Sequence, residues 1–162
     1  MTRYSDADAA ALYDVLSAWD PERTRSDAFY HELVMSARDV LDVGCGTGSM
    51  LHHARSCGHS GRLVGLDPDE AMLDRARRRT DIEWMLGRAA DARWEGEFDV
   101  ATMTSHAFQC FVTDGDVSAS LAAISRCLRS DGRFVFETRH PQVREWERWG
   151  RTGTRDVVDP SG

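Results

Sequence analysis

Short apolar runs alternate with amphipathic stretches along most of the chain. Five runs have the length and the β-branched or aromatic content of strands, and they span residues 39–43, 62–66, 82–86, 98–103 and 133–138. Helical spacing predicts helices between them at about 48–57, 69–79 and 114–129. This alternation predicts a doubly wound α/β fold, in which helices cover both faces of a mostly parallel sheet.

Two more helices are predicted before the first strand. Ser5 and Asp8 have the spacing of a capping box, and helical periodicity continues over about residues 6–18. The second helix is predicted over about residues 26–37, with Phe29 on its apolar face. Both helices belong to a predicted N-terminal cap.

The chain has a length suited to a single domain with one core. We divide it into a helical cap over residues 1–38, an α/β core over 39–138 and an irregular tail over 139–162. In the tail, Trp146 and Trp149 are expected to cover an edge of the core, with substrate binding as the alternative.

The first strand leads directly into three glycines at alternate positions. Asp42 lies near the end of this strand, and Gly44, Gly46 and Gly48 follow it, ahead of a helical stretch. Glycine permits sharp turns and lets a ligand approach the main chain, while the amides at a helix start attract an anion. An ordinary tight turn is the alternative, but a plain turn does not require three glycines. The pattern therefore favours a ligand site.

Asp67 follows the second strand and precedes Pro68. In a doubly wound sheet, ligands lie at the carboxyl ends of the strands, where such an acid can accept hydrogen bonds from both ribose hydroxyls. The alternative is that Asp67 caps a helix whose first residue is Pro68. A nicotinamide cofactor uses the same crevice, but its G-x-G-x-x-G/A fingerprint places the third small residue at Ser49 rather than at Gly48.

Together these features resemble the class I S-adenosylmethionine-dependent methyltransferases. Asp42, Gly44, Gly46 and Gly48 match the family's D-x-G-x-G-x-G loop, and Asp67 matches its ribose-binding acid. This resemblance implies that S-adenosylmethionine is the cofactor.

Two later segments extend the resemblance. Phe98-Asp99-Val100 is similar to the family's fourth strand, and residues 128–134 are similar to the usual entry into its fifth. The resemblance implies a Rossmann-like sheet with strand order 3-2-1-4-5. Complete members add a sixth strand and an antiparallel seventh, which we expect to be missing from this chain.

The resemblance also implies where the cofactor contacts the chain. An acid commonly follows the glycine after the third strand and meets adenine, but Arg88 follows Gly87 here. Adenine recognition is therefore expected either to pass to Asp91 or to weaken. His106 is the candidate catalytic base, with loop packing or donor contact as the alternative. The expected cofactor-binding residues are Asp42, Gly44, Cys45, Gly46, Thr47, Gly48, Asp67, Pro68, Met72, Ala89, Ala90, Asp91, Thr104 and His106.

Composition narrows the expected partners and location. The formal charge of -7 disfavours binding to a nucleic acid backbone. Cys45, Cys57, Cys110 and Cys127 show no C-x-x-C spacing, so we expect reduced thiols, no metal site and a cytoplasmic location. No apolar run reaches the ~20 residues that span a membrane.

The sequence therefore predicts a methyltransferase, with a small molecule as the default acceptor. Two alternatives stay open: a donor-binding or pairing module without activity, and an NAD-dependent oxidoreductase. Without strands six and seven, Phe134 and Phe136 would lie on an exposed edge strand. This exposure predicts that the tail covers the edge or that the chain forms a homodimer through it.

Overall fold

The computed structural model describes residues 5–144 and residue 147. Its helices are α1 (Asp6–Leu16), α2 (Arg25–Ser36), α3 (Ser49–Ser56), α4 (Glu70–Ala76) and α5 (Asp114–Cys127). Its strands are β1 (Asp39–Val43), β2 (Arg62–Asp67), β3 (Glu83–Leu86), β4 (Phe98–Met103) and β5 (Leu128–Phe136). Short 3-10 helices span Ala89–Asp91, Ala107–Cys110 and Pro141–Val143. The predictions for Trp146 and Trp149 lie outside the described residues.

The five strands form one sheet in the order β3-β2-β1-β4-β5, and each neighbouring pair is parallel. This confirms the predicted Rossmann-like class and strand order. Because the strands all run in one direction, their carboxyl ends meet at the same edge of the sheet. That edge is where ligands bind in doubly wound folds.

Helices cover both faces of the sheet, as successive residues of β1 show. Val40 belongs to a core cluster with Leu51 of α3 and Val34 of α2. The next residue, Leu41, belongs to a second cluster with Ile124 of α5. Side chains alternate between the faces of a strand, so a strand buried on both faces is apolar throughout.

The N-terminal helices begin as predicted, but the buried face of α2 differs. The capping box of Ser5 and Asp8 is confirmed at the start of α1. In α2, Tyr30, Leu33 and Val34 are buried, while Phe29 is 54% exposed, so its predicted place on the apolar face is wrong. Residues three and four positions apart share a helix face, and Tyr30 has this spacing to both other buried residues. Phe29 has it to Leu33 alone, so Phe29 lies at the margin of the buried face.

The prediction differs most at the junction of α5 and β5. The sequence pattern predicts a helix to residue 129 and a strand over 133–138, whereas α5 ends at Cys127 and β5 runs from Leu128 to Phe136. The pairing of β4 with β5 is irregular near Phe98, where the register shifts. Such a bulge absorbs extra residues within a strand, which a periodic pattern does not reveal.

Within the described ranges, no helix combines the length and the apolar character needed to cross a membrane.

Candidate cofactor-binding site

The glycine loop, residues 44–48, connects β1 to α3 at the carboxyl edge of the sheet. The φ angles of Gly44, Gly46 and Gly48 are +72°, +55° and +76°, a region that other residues rarely adopt. The Gly44 amide donates to the carbonyl oxygen of Leu66 at 2.7 Å, which fastens the loop to β2. The backbone conformation alone therefore accounts for glycine at all three positions.

Two of these glycines are also fixed by close packing. A Cβ atom at Gly44 would lie 2.6 Å from the Cβ of Ala107, and one at Gly48 would lie 2.3 Å from the Trp84 ring. The same ring would come within 2.5 Å of a Cβ at Gly65 on β2. Packing inside the protein therefore requires glycine at positions 44 and 48 without any ligand.

Gly46 differs from its neighbours because its main chain faces open space. Among the described residues, a Cβ there would contact a single atom within 4 Å, a ring carbon of Tyr13 at 3.9 Å. Gly46 is consequently the loop position at which a ligand can lie against the backbone.

The Asp67 carboxylate joins the end of β2 to the glycine loop. Its oxygens accept hydrogen bonds from the amides of Gly46 at 2.7 Å and Asp69 at 2.9 Å. Burial raises the pKa of Asp67, while these two bonds oppose the rise. A carboxylate has about four lone-pair sites, so capacity for two ribose hydroxyls remains. The helix-cap alternative is wrong, because Asp69 caps α4 by accepting from the amides of Ala71 and Met72.

Asp42 lies beneath the loop and is only 2% exposed. Its carboxyl oxygen accepts a hydrogen bond from the Thr102 hydroxyl at 2.8 Å. Burial raises the pKa of Asp42 to about 7; the Thr102 bond opposes this, and the charge of Asp67 adds to it. Asp42 therefore influences the site through its protonation state as well as through position.

The amides of the glycine loop are only partly available to an anion. The Gly46 amide is bonded to Asp67, and the Gly48 amide donates to a carbonyl oxygen within the loop at 2.9 Å. The amides of Thr47 and Ser49 have no acceptor in the part of the chain that the structure describes. These two amides, rather than those of the glycines, are placed to receive a carboxylate.

The segment after β3 begins beside Asp67, whose carbonyl oxygen accepts from the Gly87 amide at 3.0 Å. Ala89 is buried in the core, so its side chain supports packing and only its backbone is left for a cofactor. Ala90 and Asp91 are exposed, which leaves the Asp91 carboxylate free to meet an adenine amino group.

The remaining predicted contacts differ in accessibility. Pro68 is exposed, Met72 and Thr104 are half-buried, and Cys45 and Thr47 are buried within the loop. Burial raises the pKa of the Cys45 thiol, and nearby carboxylates add to the rise. Such a thiol stays protonated and unreactive.

His106 is exposed, and its ring contacts Arg139. The Arg139 guanidinium lies 2.8 Å from His106 Nε2, and a guanidinium can only donate, so that nitrogen accepts. A general base needs this lone pair, so proton removal through Nε2 requires Arg139 to move. The role of His106 as a base stays a prediction.

A cavity of about 300 Å³, which we call the acidic cavity, lies beside His106. Tyr13, Asp27 and Glu137 are among the residues that line it. Because His106 follows β4 and Glu137 follows β5, the cavity opens at the carboxyl edge of the sheet. Tyr13 also faces Gly46, which connects the cavity to the glycine loop.

Glu137 organises the acidic cavity through hydrogen bonds. Its carboxylate accepts from the Ser105 amide at 2.5 Å and from the Ser26 hydroxyl at 2.8 Å. Burial raises the pKa of Asp27 and raises that of Tyr30 to about 12, and the charge of Glu137 adds to both. The cavity therefore places two carboxylates next to the loop, and the Arg139 guanidinium is also part of its lining.

A larger hollow of about 750 Å³ lies on the outer side of α3 and α4. Its lining includes Thr47 and Ser49 but neither Asp42 nor Asp67. The hollow therefore does not include the predicted ribose-binding acid.

Residues 40–132 match the family model of a methyltransferase domain. The matched residues make up more than half of the chain and include β1, the glycine loop and Asp67. The chain belongs to this methyltransferase family.

Named methyltransferases are similar to this chain. Cypemycin N-terminal methyltransferase from a Streptomyces species is 31% identical over 131 residues, covering 79% of this chain and 51% of that protein. Nocamycin O-methyltransferase from Saccharothrix syringae is 36% identical over 118 residues, covering 67% of this chain and 41% of that protein. The methyltransferase domain thus spans about half, or less, of the length of these curated relatives.

A solved structure extends the similarity to three dimensions. CalS10, an amino pentose methyltransferase from Micromonospora echinaspora with bound S-adenosylmethionine, is 26% identical. The TM-score is 0.67, and the similarity covers 86% of this chain and 59% of that chain.

Three residues of this region, Glu137, Tyr13 and Thr102, are not identified from the sequence. The predicted fifth strand extends past Glu137, but β5 ends at Phe136. Glu137 is therefore an acid at the carboxyl end of a strand, which is the same signal that identifies Asp67. Tyr13 and Thr102 give no comparable signal, because they fall within a helical and an apolar pattern.

Proposed function

We propose that this methyltransferase domain binds S-adenosylmethionine at the glycine loop and transfers its methyl group to a small-molecule acceptor. The open main chain at Gly46, hydrogen-bonded to Asp67 at 2.7 Å, carries the proposal. The cofactor supplies an electrophilic methyl group on a positively charged sulfur. The protein has to align the two reactants and provide a favourable electrostatic environment.

The residues present fit this cofactor. Gly46 offers backbone without a side chain, and the amides of Thr47 and Ser49 can donate to a carboxylate. Asp67 keeps acceptor sites for ribose hydroxyls, and exposed Asp91 can accept from adenine.

The electrostatics also favour a cationic ligand. The charge of Asp67 raises the pKa of Asp42, and the charges of Glu137 and Asp42 add to the rise at Tyr30. A positive charge bound among these carboxylates relieves their mutual repulsion. A sulfonium donor therefore suits this edge of the sheet better than a neutral ligand of the same shape.

We assign the acceptor to the acidic cavity. Its volume of about 300 Å³ is at the lower end of the range for small-molecule sites. Asp27 and Glu137 favour an acceptor with amino or hydroxyl groups, because both carboxylates accept hydrogen bonds. The named relatives methylate an N-terminus, an oxygen and an amino pentose, so relatedness alone does not fix the acceptor atom.

A donor-binding or pairing module without activity is not favoured, because the named relatives are methyltransferases. The family match likewise counts against an NAD-dependent oxidoreductase.

We also propose self-association through β5. Phe136 is 42% exposed even though it stacks on Phe108 at 4.5 Å, and β5 is an edge strand of the sheet that the described residues form. A sedimentation experiment that finds only monomer at high protein concentration contradicts this proposal. The cytoplasmic location and the lack of nucleic acid binding stay predictions.

Calorimetry with S-adenosylhomocysteine and NADH tests the proposed cofactor. We expect S-adenosylhomocysteine alone to bind, and Asp67→Asn to weaken it by about 1–3 kcal/mol, the scale of lost charge-assisted hydrogen bonds. Asp69→Asn is the control, because Asn also caps helices and should leave affinity unchanged. Binding of NADH alone would overturn the proposal. Turnover with an acceptor panel then separates the enzyme from the inactive module.

A further inference from the structure

Two histidines and a cysteine converge on the side of the molecule where α2 packs against α3. His31 lies on α2, His53 lies on α3, and Cys57 caps the C-terminus of α3. One potential ligand atom from each residue lies within 4.8 Å of the other two. We call this group the His-His-Cys cluster.

The distances within the His-His-Cys cluster are close to those of a metal site. Cys57 Sγ lies 3.4 Å from His53 Nε2, and the rings of His31 and His53 are 4.9 Å apart at 72°. Tetrahedral zinc with bonds of about 2.3 Å to sulfur and about 2.0 Å to nitrogen holds its ligand atoms roughly 3.3–3.6 Å apart. His53 and Cys57 already have that separation, and rotation of the His31 side chain can supply the rest.

The framework behind the cluster is rigid, which favours a preformed site. His53 and Cys57 are one helical turn apart, and the Cys57 amide donates to the His53 carbonyl oxygen at 2.9 Å. On α2, buried Tyr30 and Val34 flank His31 and pack in the same core cluster as α3. The Cys57 side of the cluster is exposed, so an ion can enter from solvent.

We propose that the His-His-Cys cluster binds Zn²⁺ and thereby links α2 to α3. Imidazole nitrogens and a thiolate are the ligands that zinc prefers, and a water molecule completes the tetrahedron. Binding releases the thiol proton of Cys57 to solvent. This inference is independent of methyl transfer. It differs from the sequence expectation of no metal site, because ligands that come from two different helices leave no C-x-x-C spacing in the sequence.

Zinc and cobalt binding to the reduced, metal-free full chain test this inference. We expect one equivalent of Zn²⁺ to bind in competition with a chromophoric chelator. Co²⁺ should give tetrahedral absorption together with a thiolate charge-transfer band. Cys57→Ser should remove that band and weaken Zn²⁺ at least tenfold, while Cys110→Ser, at another exposed free cysteine, should change neither.

A His31→Asn variant tests the link between the helices. We expect it to weaken Zn²⁺ at least tenfold and to abolish the rise in melting temperature that Zn²⁺ gives the wild type. Circular dichroism without metal confirms that each variant is folded. Unchanged Zn²⁺ affinity in Cys57→Ser, or in His31→Asn, overturns the proposed site, as does an absence of stoichiometric binding by the wild type.

Discussion

Ionisation of the Asp42 carboxyl group links the stability of the fold to pH. Its pKa is raised to about 7 in the folded chain because it is buried, so the folded state holds this proton more tightly than the unfolded chain. Stability is therefore lost as pH rises from about 4 through about 7. The total loss is about 4 kcal/mol at most.

Asp42→Asn should remove this dependence. The amide cannot ionise, and its oxygen can still accept the Thr102 hydrogen bond. We expect the variant to gain stability relative to wild type between pH 4 and pH 8, by up to about 4 kcal/mol. Chemical denaturation at both pH values measures this difference, and a difference that does not change with pH contradicts the prediction.

Gly46 offers a separate test of the loop. Gly46→Leu should reduce donor affinity at least tenfold, because the side chain fills the space that the ligand needs. Gly96→Leu is the matched control, since Gly96 has a similar φ of +62° and no atom of the described residues within 4 Å of its Cβ position. Both variants should lose about 1–2 kcal/mol of stability. Equal donor affinity in the two variants would count against the site.

The sequence identifies the local parts of the site but not the tertiary parts. Asp67 is the last residue of β2, and Gly46 lies in the loop that follows β1, so their positions relative to the strand ends indicate their roles. Glu137 also lies at the carboxyl end of a strand, but the predicted end of that strand is two residues too late, so the sequence does not show this position. Trp84 is different: its contact with Gly48 depends on long-range packing that no local pattern reports.

At the scale of elements, strand prediction is most accurate at β1 and β4 and least accurate at β5, while β2 and β3 each differ from the prediction by one residue at one end. The bounds of β1 and β4 agree with the prediction, because both strands are buried on two faces and their apolar runs end sharply. β3 and β5 lie at the edges of the sheet and are largely exposed, so polar residues interrupt the apolar pattern near their ends.

The irregular start of β5 depends on Gly132. A Cβ there would lie 3.0 Å from the carbonyl oxygens of both Arg129 and Phe98, which are backbone atoms that cannot move aside cheaply. Gly132→Ala should therefore cost about 1–3 kcal/mol, the scale of overpacking. Gly115→Ala in the first turn of α5 is the control and should be neutral or stabilising, because its nearest atom is at 3.6 Å. Thermal unfolding of both variants measures the difference.

At the scale of the whole molecule, charge favours the donor over its product. S-adenosylmethionine carries a sulfonium charge that S-adenosylhomocysteine lacks, and Asp42 becomes ionised near pH 7. The affinity ratio of donor to product should therefore rise between pH 6 and pH 8. An attraction of about 1 kcal/mol between the sulfonium and the ionised Asp42 carboxylate corresponds to a rise of roughly threefold to tenfold. Calorimetry of both ligands measures the ratio. In Asp42→Asn the affinity ratio should rise less between pH 6 and pH 8. An equal rise in the variant and the wild type would show that ionisation of Asp42 is not the cause.

The indole of Trp84 occupies the volume that side chains at positions 48 and 65 would require. A smaller residue in place of Trp84 would not by itself admit a side chain at either position. Gly48 has a φ of +76°, and a Cβ at Gly65 would still lie 2.8 Å from the Sγ atom of Cys45. The two glycines are therefore each required by a second constraint that is independent of the ring.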